Sequence, residues 1–170
     1  MSTVLISVFC PDRTGLVSAI TGRLFETGAD LGDTSFAVLG SGAEFTSVCD
    51  IPDDVPPAEL EADLAGLPEL VGARVSVRPF ELDAAHGPLG RITHRVTVSG
   101  GDRPGLVARL TEVFGEFKAN IVRMDAQRMP EQALYVTRFA LAIPERADSC
   151  LTTIANTAEE LGLTCKVEAV

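Results

Sequence analysis

Hydrophobic residues alternate with polar ones in two stretches of the chain. Val4, Ile6 and Val8 in TVLISVF, and Ile92, Val96 and Val98 in RITHRVTVS, fall on one face of an extended backbone. Each stretch predicts a half-buried strand. Directly after each strand the period changes. Leu16, Ile20 and Leu24 recur at helical spacing in the first half, as do Leu106, Leu110, Val113 and Phe117 in the second, so a helix with one buried stripe follows. Asp12 and Asp102 stand where an N-cap is expected, and Gly28 stands where the first helix should stop. Two further extended runs come next, joined by the turn segments LGSGAE and RMPEQA, which reads as a hairpin in each half. A second helix is predicted over about residues 56–67 and again over 146–161, each ahead of a last strand near ARVSVRPF or TCKVEAV.

The predicted order is therefore βαββαβ, twice. The repetition extends to individual residues. At a constant shift of 90, Asp12, Arg13, Gly15, Leu16 and Val17 meet Asp102, Arg103, Gly105, Leu106 and Val107, and Ala29, Asp30 and Leu31 meet Ala119, Asn120 and Ile121. By DIP against AIP the shift is 92, which places two added residues near Met129 to Gln132, in the second hairpin turn. The expected fold class is α+β: two ferredoxin-like units over residues 1–82 and 91–170, each an antiparallel four-stranded sheet with two helices on one face. Residues 83–90 are the expected linker.

With 46% hydrophobic residues in 170, the composition is that of a globular protein. The net charge of -10 is carried by the first half, because residues 86–170 hold 10 basic and 10 acidic side chains. An acidic surface repels phosphate backbones, which disfavours direct nucleic-acid contact. No apolar run has the length of a membrane span and the first residues lack signal-peptide features, so no membrane contact and a cytoplasmic location are expected. Cys10, Cys49, Cys150 and Cys165 form no close pair, and only His86 and His94 could join them around a metal. Free, mostly buried thiols are the expectation, with no metal site and no cofactor.

No catalytic set emerges either. Gly40-Ser41-Gly42 joins strand to strand and reads as a plain turn, and His94 replaces Val4 of the first unit as a packed or hydrogen-bonded residue. The twice-written Asp-Arg-x-Gly turn remains. Its residues fit helix capping alone. They also fit capping plus binding, in which N–H groups bared near Gly15 or Gly105 hold a carboxylate and Asp12 or Asp102 holds an ammonium, as a free amino acid would require.

CPDRTGLVSAITGRLFETGADL and GGDRPGLVARLTEVFGEFKANI resemble the opening of ACT domains, small βαββαβ modules that bind amino acids and regulate metabolic enzymes or transcription. The likeness spans nearly the whole chain. Two such units without a catalytic domain are similar to the glycine cleavage system transcriptional repressor type. That resemblance implies a non-enzymatic regulator of a protein partner such as a transcription regulator, with a homodimer as one form. Units of this kind also precede enzymes of amino-acid and one-carbon metabolism, so a regulatory subunit is the alternative, and a ligand-free assembly scaffold a third. The resemblance further implies that a ligand lies between the turn of one unit and the start of the second strand of its neighbour. One site would then combine Asp12, Arg13, Gly15 and Leu16 with Asn120 and Ile121; the other would combine Asp102, Arg103, Gly105 and Leu106 with Asp30. Thr14 stands where the family usually has Pro, and Asp30 where it usually has Asn. Two carboxylates near one zwitterion weaken the second site, so the first is expected to be the tighter for a small neutral amino acid such as glycine or serine.

Overall fold

In the computed structural model, which describes residues 1–170, the chain divides into two units, Met1–Ala84 and Ala85–Val170. The alternating opening of unit one is strand β1 (Ser2–Pro11), with Val4, Ile6, Val8 and Cys10 buried. Helix α1 (Leu16–Glu26) buries Leu16, Ile20 and Leu24, the stripe its spacing predicts. Strands β2 (Asp30–Leu39) and β3 (Gly42–Ile51) form the hairpin, and α2 (Pro57–Ala65) and β4 (Arg74–Pro79) complete the unit. All pairings are antiparallel, in the order β2-β3-β1-β4. Unit two repeats this plan with β5 (His94–Gly100), α3 (Leu106–Glu116), β6 (Asn120–Met129), β7 (Leu134–Ala142), α4 (Ala147–Glu160) and β8 (Thr164–Ala169), ordered β6-β7-β5-β8. Each is the α+β, ferredoxin-like arrangement that the periodicities predict.

Helix ends and hairpins differ between the units in ways that trace to single residues. Gly28 takes φ 76° after α1, the left-handed stop expected of it, whereas its counterpart Lys118 holds φ 53° with a side chain attached. The first hairpin turns through Gly40 and Ser41; the second uses residues 130–133, including a 3-10 turn at Pro130–Gln132. The two extra residues fall there, as the change of shift requires. Both second strands carry a bulge at the same place, between Leu31 and Thr34 and between Ile121 and Arg123. Within the segment expected to be a linker, Pro88–Gly90 is a 3-10 turn.

The cores solve one packing problem in two ways. On the inward face of β3, Phe45 and Ser47 stand where β7 has Thr137 and Phe139, and Ser47 and Thr137 are fully buried. The large and small residues have exchanged places along the strand, which conserves volume. Phe139 packs edge to face on Phe114, with ring centroids 5.1 Å apart. The stripe of α3 thus buries Phe114, while Phe117, expected in it, is only part-buried at the helix end under the Arg146 guanidinium, 5.2 Å from its ring. Ser47 Oγ lies 2.8 Å from Thr34 Oγ1, but Thr137 Oγ1 has no hydrogen-bond partner.

Candidate functional site

The repeated turn closes β1 onto α1 and β5 onto α3, and its geometry differs from the capping expected of it. Neither Asp12 nor Asp102 caps a helix: the N-cap residues are Gly15 and Gly105, at φ 91° and 79°, and no side chain bonds to either helix start. Glycine is required because this left-handed conformation disfavours any Cβ. It also draws the chain into the helix so abruptly that an aspartate three residues earlier is left outside the first turn. In unit one the first bond into the helix runs from Ala19 N–H to the Gly15 carbonyl, 2.9 Å, so the N–H groups of Leu16, Val17 and Ser18 make no backbone hydrogen bond. Asp12 is held by its own N–H, which donates to the Ser41 carbonyl of the hairpin turn at 2.9 Å. Its carboxylate enters no ion pair or hydrogen bond.

The arginine of the motif points elsewhere. Arg13 Nη2 donates to the Val71 carbonyl at 3.0 Å, tying the turn to the loop that leads into β4. Arg103 reaches the same place in unit two, its Nη2 lying 4.0 Å from where a Cβ on Gly162 would sit. Gly72 and Gly162, at φ 80° and 69°, make that loop tight in both units.

Around the first turn is an open cavity of about 380 Å³ lined by Asp12, Arg13, Thr14, Gly15, Leu16, Val17, Ser18 and Phe36. It offers one free carboxylate, three unclaimed helical N–H groups and an apolar flank from Val17 and Phe36. This combination can hold an ammonium, a carboxylate and a short side chain together. Phe36 did not emerge from the sequence. It faces inward because it pairs with buried Phe45, yet it is 42% exposed because it lies on edge strand β2. A second opening of about 360 Å³, lined by Phe9, Cys10, Pro11, Leu39, Ser41, Gly42, Gly72 and Arg74, brings neither a carboxylate nor a helix start.

The corresponding turn of unit two is differently furnished. Asp102 is paired with Arg128 of β6, Nη2 to Oδ2 at 2.5 Å. Arg128 lies across from Tyr135 as Val38 lies across from Ala43, so the two occupy equivalent strand positions. Leu106 N–H donates to the Arg103 carbonyl at 3.3 Å, a bond that Leu16 lacks. The second-strand residues are at the other end of their sheets. Asp30 pairs with Asp50, which pairs with Thr3, whereas the turn follows Pro11. Eight residues of strand, roughly 25 Å, therefore separate Asp30 from the turn of its own unit. Asn120 and Ile121 begin β6 in the same way, and the Asn120 amide donates to the Leu89 carbonyl at 2.7 Å.

The remaining candidates have ordinary roles. Burial pushes the Cys10 thiol up despite the nearby Arg13, and Cys49, Cys150 and Cys165 are raised for the same reason. All four are free, and all but Cys165 are buried. His94 Nδ1 is hydrogen-bonded to Thr93 Oγ1 at 2.9 Å. No group of three or more His, Cys, Asp and Glu is placed to hold a metal, and no helix is long and apolar enough to cross a membrane.

Comparison with known proteins agrees with the repeat. No curated protein matches the chain. A crystal structure of an unknown protein from Galdieria sulphuraria matches with a TM-score of 0.76 at 21% identity, covering 99% of this chain and 98% of that one. A crystal structure of a candidate glycine cleavage system transcriptional repressor matches with a TM-score of 0.68 at 13% identity, covering 99% and 97%. At these identities the likeness is one of fold. The family model described as ACT domain matches residues 2–78 and again 95–168; with both units matched, the chain belongs to the ACT domain family.

Proposed function

We propose that the chain is a non-enzymatic regulatory protein that binds a small neutral amino acid at the Asp12–Ser18 turn and thereby alters its contacts with a protein partner. ACT family membership supports a regulatory role. The observation that carries the ligand reading is that the unpaired Asp12 carboxylate and the unclaimed N–H groups of Leu16, Val17 and Ser18 border one cavity. In this reading Asp12 accepts from the ligand ammonium, and the ligand carboxylate sits on the start of α1, where the helix dipole favours negative charge. Gly15 leaves the backbone accessible, and Phe36 and Val17 flank the ligand side chain. Arg13 acts indirectly, holding the turn against the Val71 carbonyl.

The fold shared with a candidate glycine cleavage system transcriptional repressor supports a transcription regulator as the partner and glycine or serine as the first ligands to try. Asn120 and Ile121 are ligand positions in this proposal through family likeness alone; the same likeness implies a second, weaker site at Asp102, Arg103, Gly105, Leu106 and Asp30, on which the proposal does not rest. Titration calorimetry with glycine and L-serine tests it. Asp12→Asn removes a charge-assisted hydrogen bond of about 1.5–3 kcal/mol, so affinity should fall about 10- to 100-fold. Asn120→Ala in the same series tests the second-strand position. Unchanged binding by Asp12→Asn would refute the assignment of the ammonium, and the absence of any binding by the parent would favour a ligand-free scaffold.

A further inference from the structure

The two turns follow the same plan, and besides the exchanges of Thr14 for Pro104, Ser18 for Ala108 and Phe36 for Ala126 they differ in what their aspartates meet. In unit two Arg128 reaches the turn from β6, its guanidinium bonded to Asp102; at the equivalent strand position unit one has Val38, 51% exposed, and Asp12 is unpaired. We infer that Arg128 is an internal substitute for a ligand ammonium, so that the turn of unit two is closed to zwitterionic amino acids and the chain binds one per copy. The inference rests on the amino-acid reading given above and assigns the choice between open and closed turn to positions 38 and 128.

The chemistry of the pair supports it. A guanidinium and an ammonium compete for the same carboxylate lone pairs, and Arg can satisfy them through two N–H donors from a planar fork. A zwitterion entering unit two must displace Arg128 and then tolerate the displaced cation beside its own ammonium. The pair is exposed, with 69% of the Arg128 side chain and 38% of the Asp102 side chain accessible, so its intrinsic strength is modest. Its effect on binding comes from occupying the one carboxylate of the turn. The Leu106 N–H is also spent, on the Arg103 carbonyl, so unit two presents one fewer helical donor than unit one.

Exchange of the two side chains separates this idea from the general reading. L-serine is titrated into the full chain and into Arg128→Val, Arg128→Gln and Val38→Arg, with circular dichroism confirming that each variant is folded. The parent is expected to bind one serine per chain. Arg128→Val and Arg128→Gln should raise the stoichiometry to two, and Val38→Arg should weaken the original site at least ten-fold by placing a guanidinium next to Asp12. A parent that already binds two serines with equal affinity overturns the inference and leaves the amino-acid reading standing. So does a stoichiometry that stays at one in both Arg128 variants, or parent-like binding by Val38→Arg. If the parent and all three variants bind no serine and no glycine, the amino-acid reading itself fails and this inference with it.

Discussion

Thr137→Val and Ser47→Ala are expected to shift stability in opposite directions, although both remove a fully buried hydroxyl from the central hairpin strand of a unit. Thr137 Oγ1 has no hydrogen-bond partner, and leaving a hydroxyl buried in that state costs about 1–3 kcal/mol. Valine has nearly the same shape, opens no cavity and keeps the β-branching that suits β7. The substitution should therefore stabilise unit two by about 1–2 kcal/mol. Ser47 Oγ is bonded to Thr34 Oγ1 at 2.8 Å, and Thr34 also donates to the Gly32 carbonyl at 3.1 Å. Removing Ser47 Oγ breaks a satisfied network at the bulge and should destabilise unit one by about 1 kcal/mol. Urea denaturation reads both effects. The chain has one tyrosine, Tyr135, and no tryptophan, so tyrosine fluorescence follows unit two while far-ultraviolet circular dichroism follows both units. In heat, 1 kcal/mol corresponds to roughly 4–8 °C for units of this size. A Thr137→Val variant whose tyrosine transition is unmoved or moved to lower urea would refute the packing argument, as would a Ser47→Ala variant as stable as the parent.

Three further outcomes are expected. Gly15→Ala should destabilise unit one by about 1–2 kcal/mol through backbone strain alone, because a Cβ there meets no atom within 4 Å, and the same denaturation experiment measures it. Lys118→Gly should stabilise unit two by up to about 1 kcal/mol, since it relieves a left-handed lysine at φ 53°, and an unchanged midpoint would indicate that the strain is absent. Burial, with Asp50 and Asp30 adding to it, pushes the Cys49 thiol from an ordinary value of 9.0 to about 11. The neutral thiol is thus favoured in the folded state, and its contribution is fully present below pH 9 and lost as pH rises through 11. Denaturation at pH 8.5, 9.5 and 10.5 should show a shallower decline for Cys49→Ala than for the parent, by at most about 1.4 kcal/mol per pH unit.

The order of elements was legible because strand and helix periods alternate twice, and the constant shift from Asp12 and Asp102 through Leu31 and Ile121 carries α1 onto α3. The role of the shared motif was legible only in part. Asp before a helix suggests a cap, but the positive φ of Gly15 and Gly105 places the aspartates outside the first turn, and backbone dihedrals are not written in residue identity. The contact of Arg13 with the Val71 carbonyl spans 58 residues and depends on β1 and β4 being neighbours. Phe36 and Arg128 were hidden for a related reason. Which way they face is set after a bulge that resets the alternation of β2 and β6, so strand parity counted from Asp30 or Asn120 does not give it. The exchange of Phe45 and Ser47 for Thr137 and Phe139 needs the strand pairing, which sets Phe45 and Thr137 opposite the buried Val8 and Val98, and Ser47 and Phe139 opposite Ile6 and Val96.

The proposed function stands or falls on amino-acid binding at the first turn. Amide chemical shifts of the nitrogen-15-labelled chain, followed during titration with L-serine, test it most directly. Saturable shifts are expected on the amides of Leu16, Val17 and Ser18 and on Phe36, with the amides of Leu106, Val107 and Ala108 unmoved at the same concentration. Saturable shifts confined to any other region, or none up to millimolar serine or glycine, would contradict it.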